Sequence, residues 1–239
     1  MRWRGLSVAL LALVALLVAC RAEAVPDAAT PLRYVERVVG ARSATVALPL
    51  IIALHGRGDR PEHFITLFER LPGAARVIAP AAPLPQGDGY SWFSVRVREG
   101  KPEVLDPEVD QAAKQVAALI AEILRTRPTR GRPIVTGFSQ GGILSFTLAS
   151  RHPEVVGLAI PIGGWLPPSL LPADGKRVPP ILALHGEQDR VVPYAATRVA
   201  VDALRARGVK IDLVTDPEAG HVITPLMAGA FFRALGAHL

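Results

Sequence analysis

Six short runs of continuous apolar residues recur from residue 48 onward, at 48–54, 76–79, 133–138, 157–162, 181–184 and 210–214. They do not alternate apolar with polar, which is the pattern of strands buried on both faces of a sheet. Between them lie stretches with helical spacing. In 107–125 the apolar positions Val109, Ala113, Val116, Leu119, Ile120 and Ile123 share one face, with Asp106 the expected N-cap ahead of a proline in the first turn. Further helices are predicted over 140–150, over 194–207 with Gly208 closing the end, and over 223–235. Strand and helix in alternation predict an α/β fold with a mostly parallel central sheet flanked by helices. The segment 81–105 has no clear period, carries Pro, Gly and aromatic residues, and at that length is expected to be a functional loop or lid.

The start of the chain follows another pattern. Arg2 and Arg4 precede an uncharged apolar run at 6–19 that is too short for an ordinary membrane-spanning helix and reads as an export signal. Its end, Leu17-Val18-Ala19-Cys20, resembles a bacterial lipobox, in which the cysteine thiol receives a lipid before cleavage. The expected organisation is a signal peptide at 1–20, a flexible tether at 21–32 and one domain at 33–239, anchored in the cell envelope through acylated Cys20. Ala22-Glu23-Ala24 offers an A-x-A cleavage site, which keeps soluble secretion as the alternative.

Composition narrows the chemistry. Half of the 239 residues are hydrophobic, enough for one sizeable core. The formal charge of +6 comes from scattered arginines with no dense basic run or interleaved aromatics, so no nucleic-acid partner is expected. Cys20 is the single cysteine, and the domain therefore holds no disulfide, no thiolate metal cluster and no catalytic thiol. A nucleophile has to be sought elsewhere.

Gly137-Phe138-Ser139-Gln140-Gly141 matches G-x-S-x-G, directly after the run 133–138 and directly before a predicted helix. The turn demands a strained serine and glycines where a Cβ would collide. A serine so placed needs a base and an acid, which in this type of fold follow in the order Ser, acid, His. After the run 181–184 comes His185-Gly186-Glu187-Gln188-Asp189-Arg190-Val191-Val192-Pro193, and Asp189 is the expected acid, with Glu187 as its main competitor and Asp212 and Asp216 behind. Gly220-His221 supplies the expected base; His238, next to the chain end, is a poor rival. An oxyanion would be held by the backbone N–H of Gln140 and by that of Arg57 in His55-Gly56-Arg57-Gly58-Asp59. His55, Asp59 and His63 have a spacing that could suggest metal ligands, but strand, glycine loop and helix start do not offer them one face, and no metal is expected.

These motifs together resemble the phospholipase/carboxylesterase family, which includes bacterial carboxylesterases and acyl-protein thioesterases, over nearly all of the chain from about Leu48. The resemblance implies an α/β-hydrolase fold, a triad of Ser139, Asp189 and His221, oxyanion donors at Arg57 and Gln140, and no metal or organic cofactor. It implies a serine esterase acting on a small-molecule carboxylic ester, with thioesterase, phospholipase, or polymer-directed depolymerase or feruloyl-type activity as alternatives, and a non-catalytic binding lipoprotein as the rival from another class. Two positions depart from the family pattern. Arg57 stands where an apolar residue is common, its side chain expected to face solvent and otherwise to read a substrate carboxylate or phosphate. Trp92-Phe93 is followed by Ser94 rather than Asp. Trp92, Phe93 and Trp165 are candidates to line a substrate pocket, with simple packing as the competing role.

Overall fold

The computed structural model describes residues 31–94 and 101–239. The expected signal peptide, Cys20 and the tether up to residue 30 lie outside the described residues, as does the 95–100 part of the segment expected to be a lid.

Seven strands form one sheet. In chain order the elements are β1 (Tyr34–Val39), β2 (Leu50–Leu54), α1 (Pro61–Phe64), β3 (Ala75–Pro80), β4 (Leu84–Gln86), β5 (Gly89–Ser91), α2 (Pro102–Thr126) and β6 (Ile134–Phe138). They continue with α3 (Gln140–Arg151), β7 (Leu158–Ile162), β8 (Ile181–Gly186), α4 (Tyr194–Ala206), β9 (Ile211–Asp216) and α5 (Pro225–Gly236). The sheet runs β1-β3-β2-β6-β7-β8-β9, parallel throughout except for β1, which pairs antiparallel with β3. The six apolar runs are the six parallel strands, and β2, β3 and β7 are buried at every position.

Alternate residues of each strand serve opposite faces. Leu50, Ile52 and Leu54 join the core built with α2, α3 and α4, whereas Ile51 and Ala53 join the core that holds Phe64, Ile65 and Phe68 together with Met227, Phe231 and Leu235 of α5. The chain makes β2 and β3 on one side of the start and then crosses to β6 on the other. The strand order thus reverses between β2 and β6, the position beside whose carboxyl ends open α/β sheets build their sites.

Three features depart from expectation. β1 was not predicted, because an edge strand bonded on one side only is half-buried throughout and its Tyr34-Val35-Glu36-Arg37 start shows no continuous apolar run. α2 begins at Pro102, so Asp106 is not its N-cap. Asp106 is instead a buried residue inside the helix whose carboxylate accepts from Ser169 Oγ. Pro107 is tolerated there because it is exposed, and the one bond it removes would have gone to the carbonyl of exposed Glu103. The start of the 81–105 segment is not an open loop: β4 and β5 form an antiparallel hairpin, after which Trp92 and Phe93 are 1% and 0% exposed.

Candidate active site

Ser139 sits between β6 and α3, where strand becomes helix without an intervening loop. Its φ of 58° and ψ of −117° make it, among the described residues, the one non-glycine with positive φ. Such a backbone costs about 1–3 kcal/mol and persists where the surroundings enforce it. The enforcement is steric. A Cβ on Gly141 would lie 2.0 Å from the Leu54 carbonyl oxygen, and one on Gly137 would lie 2.5 Å from the same atom. Glycine at both positions lets α3 press against the end of β2, and the pressed turn lifts the serine hydroxyl out of the sheet.

His221 follows β9 on the loop to α5, and its Nε2 is 2.9 Å from Ser139 Oγ. The ring is held over Phe138, with centroids 4.6 Å apart, and a Cβ on Gly163 would come within 3.5 Å of it. Its Nδ1 is 2.6 Å from Asp189 Oδ2. Asp189 follows β8 in a tight turn, where Oδ1 accepts the N–H groups of Val191 and Val192, each at 2.8 Å. Burial alone would raise its carboxyl, but hydrogen bonds from His185, His221 and the Val192 N–H outweigh this and hold it well below the usual carboxylate range. Hydroxyl, imidazole and carboxylate in series can take a proton from the hydroxyl as it attacks an electrophile. Glu187, the competing acid, is exposed and accepts from Thr215 Oγ1 at 2.8 Å.

The loop after β2 lies beside the serine. A Cβ on Gly56 would be 3.5 Å from Ser139 Cβ, so the loop that carries the Arg57 N–H lies against the turn of the serine. The Gln140 N–H is the first of α3 and has no carbonyl one turn back in that helix to receive it. Buried side chains lock these two donors together. Gln140 Oε1 accepts from Trp92 N at 2.9 Å, and its Nε2 donates to the Phe93 carbonyl at 3.2 Å; Ser91 Oγ lies 3.1 Å from Oε1 and has the same Phe93 carbonyl, at 2.7 Å, as the nearer acceptor for its one hydrogen. Trp92 Nε1 in turn donates to the His55 carbonyl at 2.9 Å. The hairpin adds Gly58 N to Tyr90 O at 2.7 Å and Tyr90 N to Asp59 O at 3.0 Å.

Trp92 and Phe93 therefore pack and brace rather than face a substrate, because neither has surface left to offer. Arg57 does not extend freely into solvent either: it is half-buried and donates to Gln86 Oε1 at 2.5 Å. Trp165 is half-buried beside an apolar groove of about 340 Å³ lined also by Leu166, Leu171 and Val199, and its Nε1 has no partner among the described residues.

The metal-like spacing does not converge. His55 Nδ1 donates to the Gly56 carbonyl at 2.7 Å, and its Nε2 accepts the Ala82 N–H at 3.2 Å, which leaves no lone pair free. Burial lowers this imidazole below the usual histidine range and keeps it neutral. Asp59 pairs with His63 at the surface. Sequence reasoning missed the bracing side chain of Gln140 and missed His185, whose only signal was its position four residues before Asp189.

A family model described as Phospholipase/Carboxylesterase matches residues 36–233. The carboxylesterase SOBER1 of Arabidopsis thaliana is 30% identical over 197 residues, 75% of this chain and 86% of that one. The acyl-protein thioesterase 1 homolog 1 of Dictyostelium discoideum is 27% identical over 206 residues, 80% of this chain and 89% of that one. Among solved structures, esterase PE8 superposes with a TM-score of 0.76 over 88% of this chain and 100% of its own, at 22% identity, a likeness of fold.

Proposed function

We propose that this chain, which belongs to the phospholipase/carboxylesterase family of α/β hydrolases, is a serine esterase that cleaves carboxylic esters of modest size through an acyl-serine intermediate. The observation that carries the reading is the series Ser139 Oγ, His221 Nε2, His221 Nδ1, Asp189 Oδ2, at 2.9 and 2.6 Å, beginning at a serine with a strained backbone.

In this reading Ser139 Oγ attacks the ester carbonyl carbon while His221 Nε2 takes the hydroxyl proton. Asp189 Oδ2 holds the Nδ1 proton and offsets the charge of the imidazolium. The carbonyl electron pair moves onto oxygen, where the Arg57 and Gln140 N–H groups receive it, each such donor lowering the barrier by about 3 kcal/mol. When the intermediate collapses, the alcohol leaves with the proton from His221. A water molecule then repeats the sequence on the acyl-serine, and the carboxylic acid departs with Ser139 restored. A thioester fits the same steps with a thiol as leaving group, a reading favoured by the name of the Dictyostelium relative.

The brace through Gln140 and Trp92 supports the oxyanion assignment, since it ties the two donor-bearing segments to one side-chain network. Location is part of the proposal: Cys20 carries a lipid and tethers the domain in the cell envelope. Palmitate incorporation that disappears in Cys20→Ser is the expected result, and equal incorporation in both proteins contradicts it.

Fluorophosphonate labelling tests the enzyme reading against a binding protein on a decayed hydrolase scaffold. The mature protein is expected to be labelled with the adduct on Ser139 and to resist labelling in His221→Ala. Wild-type protein that stays unlabelled while folded speaks for the binding protein.

A further inference from the structure

Two imidazoles face the Asp189 carboxylate. His185, on β8, is fully buried, and its Nε2 lies 3.3 Å from Asp189 Oδ2, the oxygen that His221 Nδ1 meets at 2.6 Å. Nε2 is also 2.9 Å from the Val192 carbonyl oxygen. Carboxylate and carbonyl are acceptors only, so Nε2 carries a proton. On the other side of the ring, Nδ1 lies 3.0 Å from Thr197 Oγ1. That hydroxyl has a single hydrogen, given to the Gly164 carbonyl at 2.8 Å. Oγ1 therefore receives from the ring, and Nδ1 carries a proton as well. His55 is the contrast within the same molecule, with one nitrogen facing a carbonyl and the other facing an N–H.

We infer that His185 is a buried imidazolium paired with Asp189, and that it acts as a positioning residue which keeps His221 unprotonated, and so able to serve as a base, down to lower pH. The inference rests on the roles proposed above for Ser139, His221 and Asp189. A carboxylate that faced His221 alone would lend its whole charge to holding a proton on that ring. Shared with a second cation, it lends less. The pair also makes the buried charge affordable, because Asp189 then has a donor at every side: two backbone N–H groups on Oδ1 and two imidazoles on Oδ2.

The groups that face His185 are few. Asp189 comes from its own loop, with exposed Arg190 next in the chain. Thr197 and Tyr194, the latter with its ring centroid 5.9 Å away, come from α4. His221 reaches in through the shared oxygen from the loop after β9.

Two measurements on the full chain test the inference. With 15N-histidine labelling at neutral pH, both ring nitrogens of His185 are expected to be protonated, while His55 shows one protonated and one bare. The second measurement is the pH profile of kcat/KM for p-nitrophenyl acetate in His185→Gln, Thr197→Val and Thr197→Ser. Loss of a unit charge a few ångströms from His221 is expected to move the acid limb up by about one pH unit in His185→Gln. Thr197→Val, which removes the acceptor for Nδ1–H, is expected to move it the same way, and Thr197→Ser to restore it. A merely structural role would lower kcat at all pH values and leave the limb in place.

A bare nitrogen on His185, or limbs in both of the first two variants within about 0.3 pH unit of wild type, overturns the inference. Should wild-type protein neither hydrolyse the ester nor take the fluorophosphonate label, the Ser139 reading fails and the positioning role falls with it. The nitrogen spectrum tells the two failures apart.

Discussion

Replacing Asp189 with Asn exchanges one atom and reverses one hydrogen bond. The Asn oxygen can keep the place of Oδ1, where the Val191 and Val192 N–H groups arrive at 2.8 Å. Its NH2 then occupies the place of Oδ2, 2.6 Å from His221 Nδ1, and donates where the carboxylate accepted. His221 is forced to carry its proton on Nε2, pointed at Ser139 Oγ, and cannot take the serine proton. The imidazolium that would follow has also lost its counter-charge. These effects together are expected to lower kcat by about 10³- to 10⁴-fold, which corresponds to about 4–5.5 kcal/mol, with little change in KM. The NH2 also confronts His185, so a buried pair is broken and stability is expected to fall by about 3 kcal/mol. The assay is steady-state hydrolysis of p-nitrophenyl acetate, with thermal denaturation of the same samples so that rates are compared on folded protein. A folded Asp189→Asn protein whose kcat stays within tenfold of wild type would show that the carboxylate does not set the His221 tautomer.

The same carboxyl sets an acid limit to stability. It is depressed in the folded protein, so its contribution is present above the unfolded-chain value of about 4 and is lost as pH falls toward the folded value. Wild-type protein is expected to lose stability more steeply than Asp189→Asn below about pH 4, and parallel slopes in urea denaturation would contradict this. Gly141→Ala puts a Cβ 2.0 Å from the Leu54 carbonyl oxygen and is expected to cost more than about 4 kcal/mol, seen as insoluble protein or a Tm lowered by ten degrees or more; a near-native Tm would count against the packing argument. Trp92→Phe removes the donor to the His55 carbonyl and is expected to cost about 1–2 kcal/mol of stability and about tenfold in kcat, whereas unchanged kcat would mean that the brace does not hold the oxyanion loop. Arg57→Ala keeps the backbone donor and is expected to change kcat by less than about fivefold; a loss near 10³-fold would place the guanidinium itself in the chemistry.

The sheet was legible because most of its parallel strands are buried on both faces and so appear as apolar runs, while β9, at the other edge and largely half-buried, was marked by Ile211, Leu213 and Val214 alone. β1 was not, since an edge strand that carries Glu36 and Arg37 has no such signature, and Glu36 is used to pair buried Arg76 and Arg127. The start of α2 was misread through Asp106-Pro107, a pair that imitates a cap but lies inside the helix, where Ser169 rather than a backbone N–H meets the carboxylate. That Ser139, His221 and Asp189 come within hydrogen-bond distance of one another could be expected because each follows a strand with glycine beside it or shortly before it, and local rules govern such turns. The bracing of Gln140 by Trp92 and Phe93 spans 47–48 residues of sequence, and no local pattern announces it. Trp92 and Phe93 were weighed as pocket residues for the same reason: an aromatic pair in an aperiodic segment looks alike whether it meets a ligand or the core.

Hydrolysis of p-nitrophenyl esters from acetate to palmitate by the mature domain, run beside Ser139→Ala, tests whether Ser139 is an activated nucleophile acting on esters. Turnover with an optimum at one acyl length, lost in the variant, is expected, whereas equal rates in the two proteins, or none from folded wild type on any ester, would contradict it.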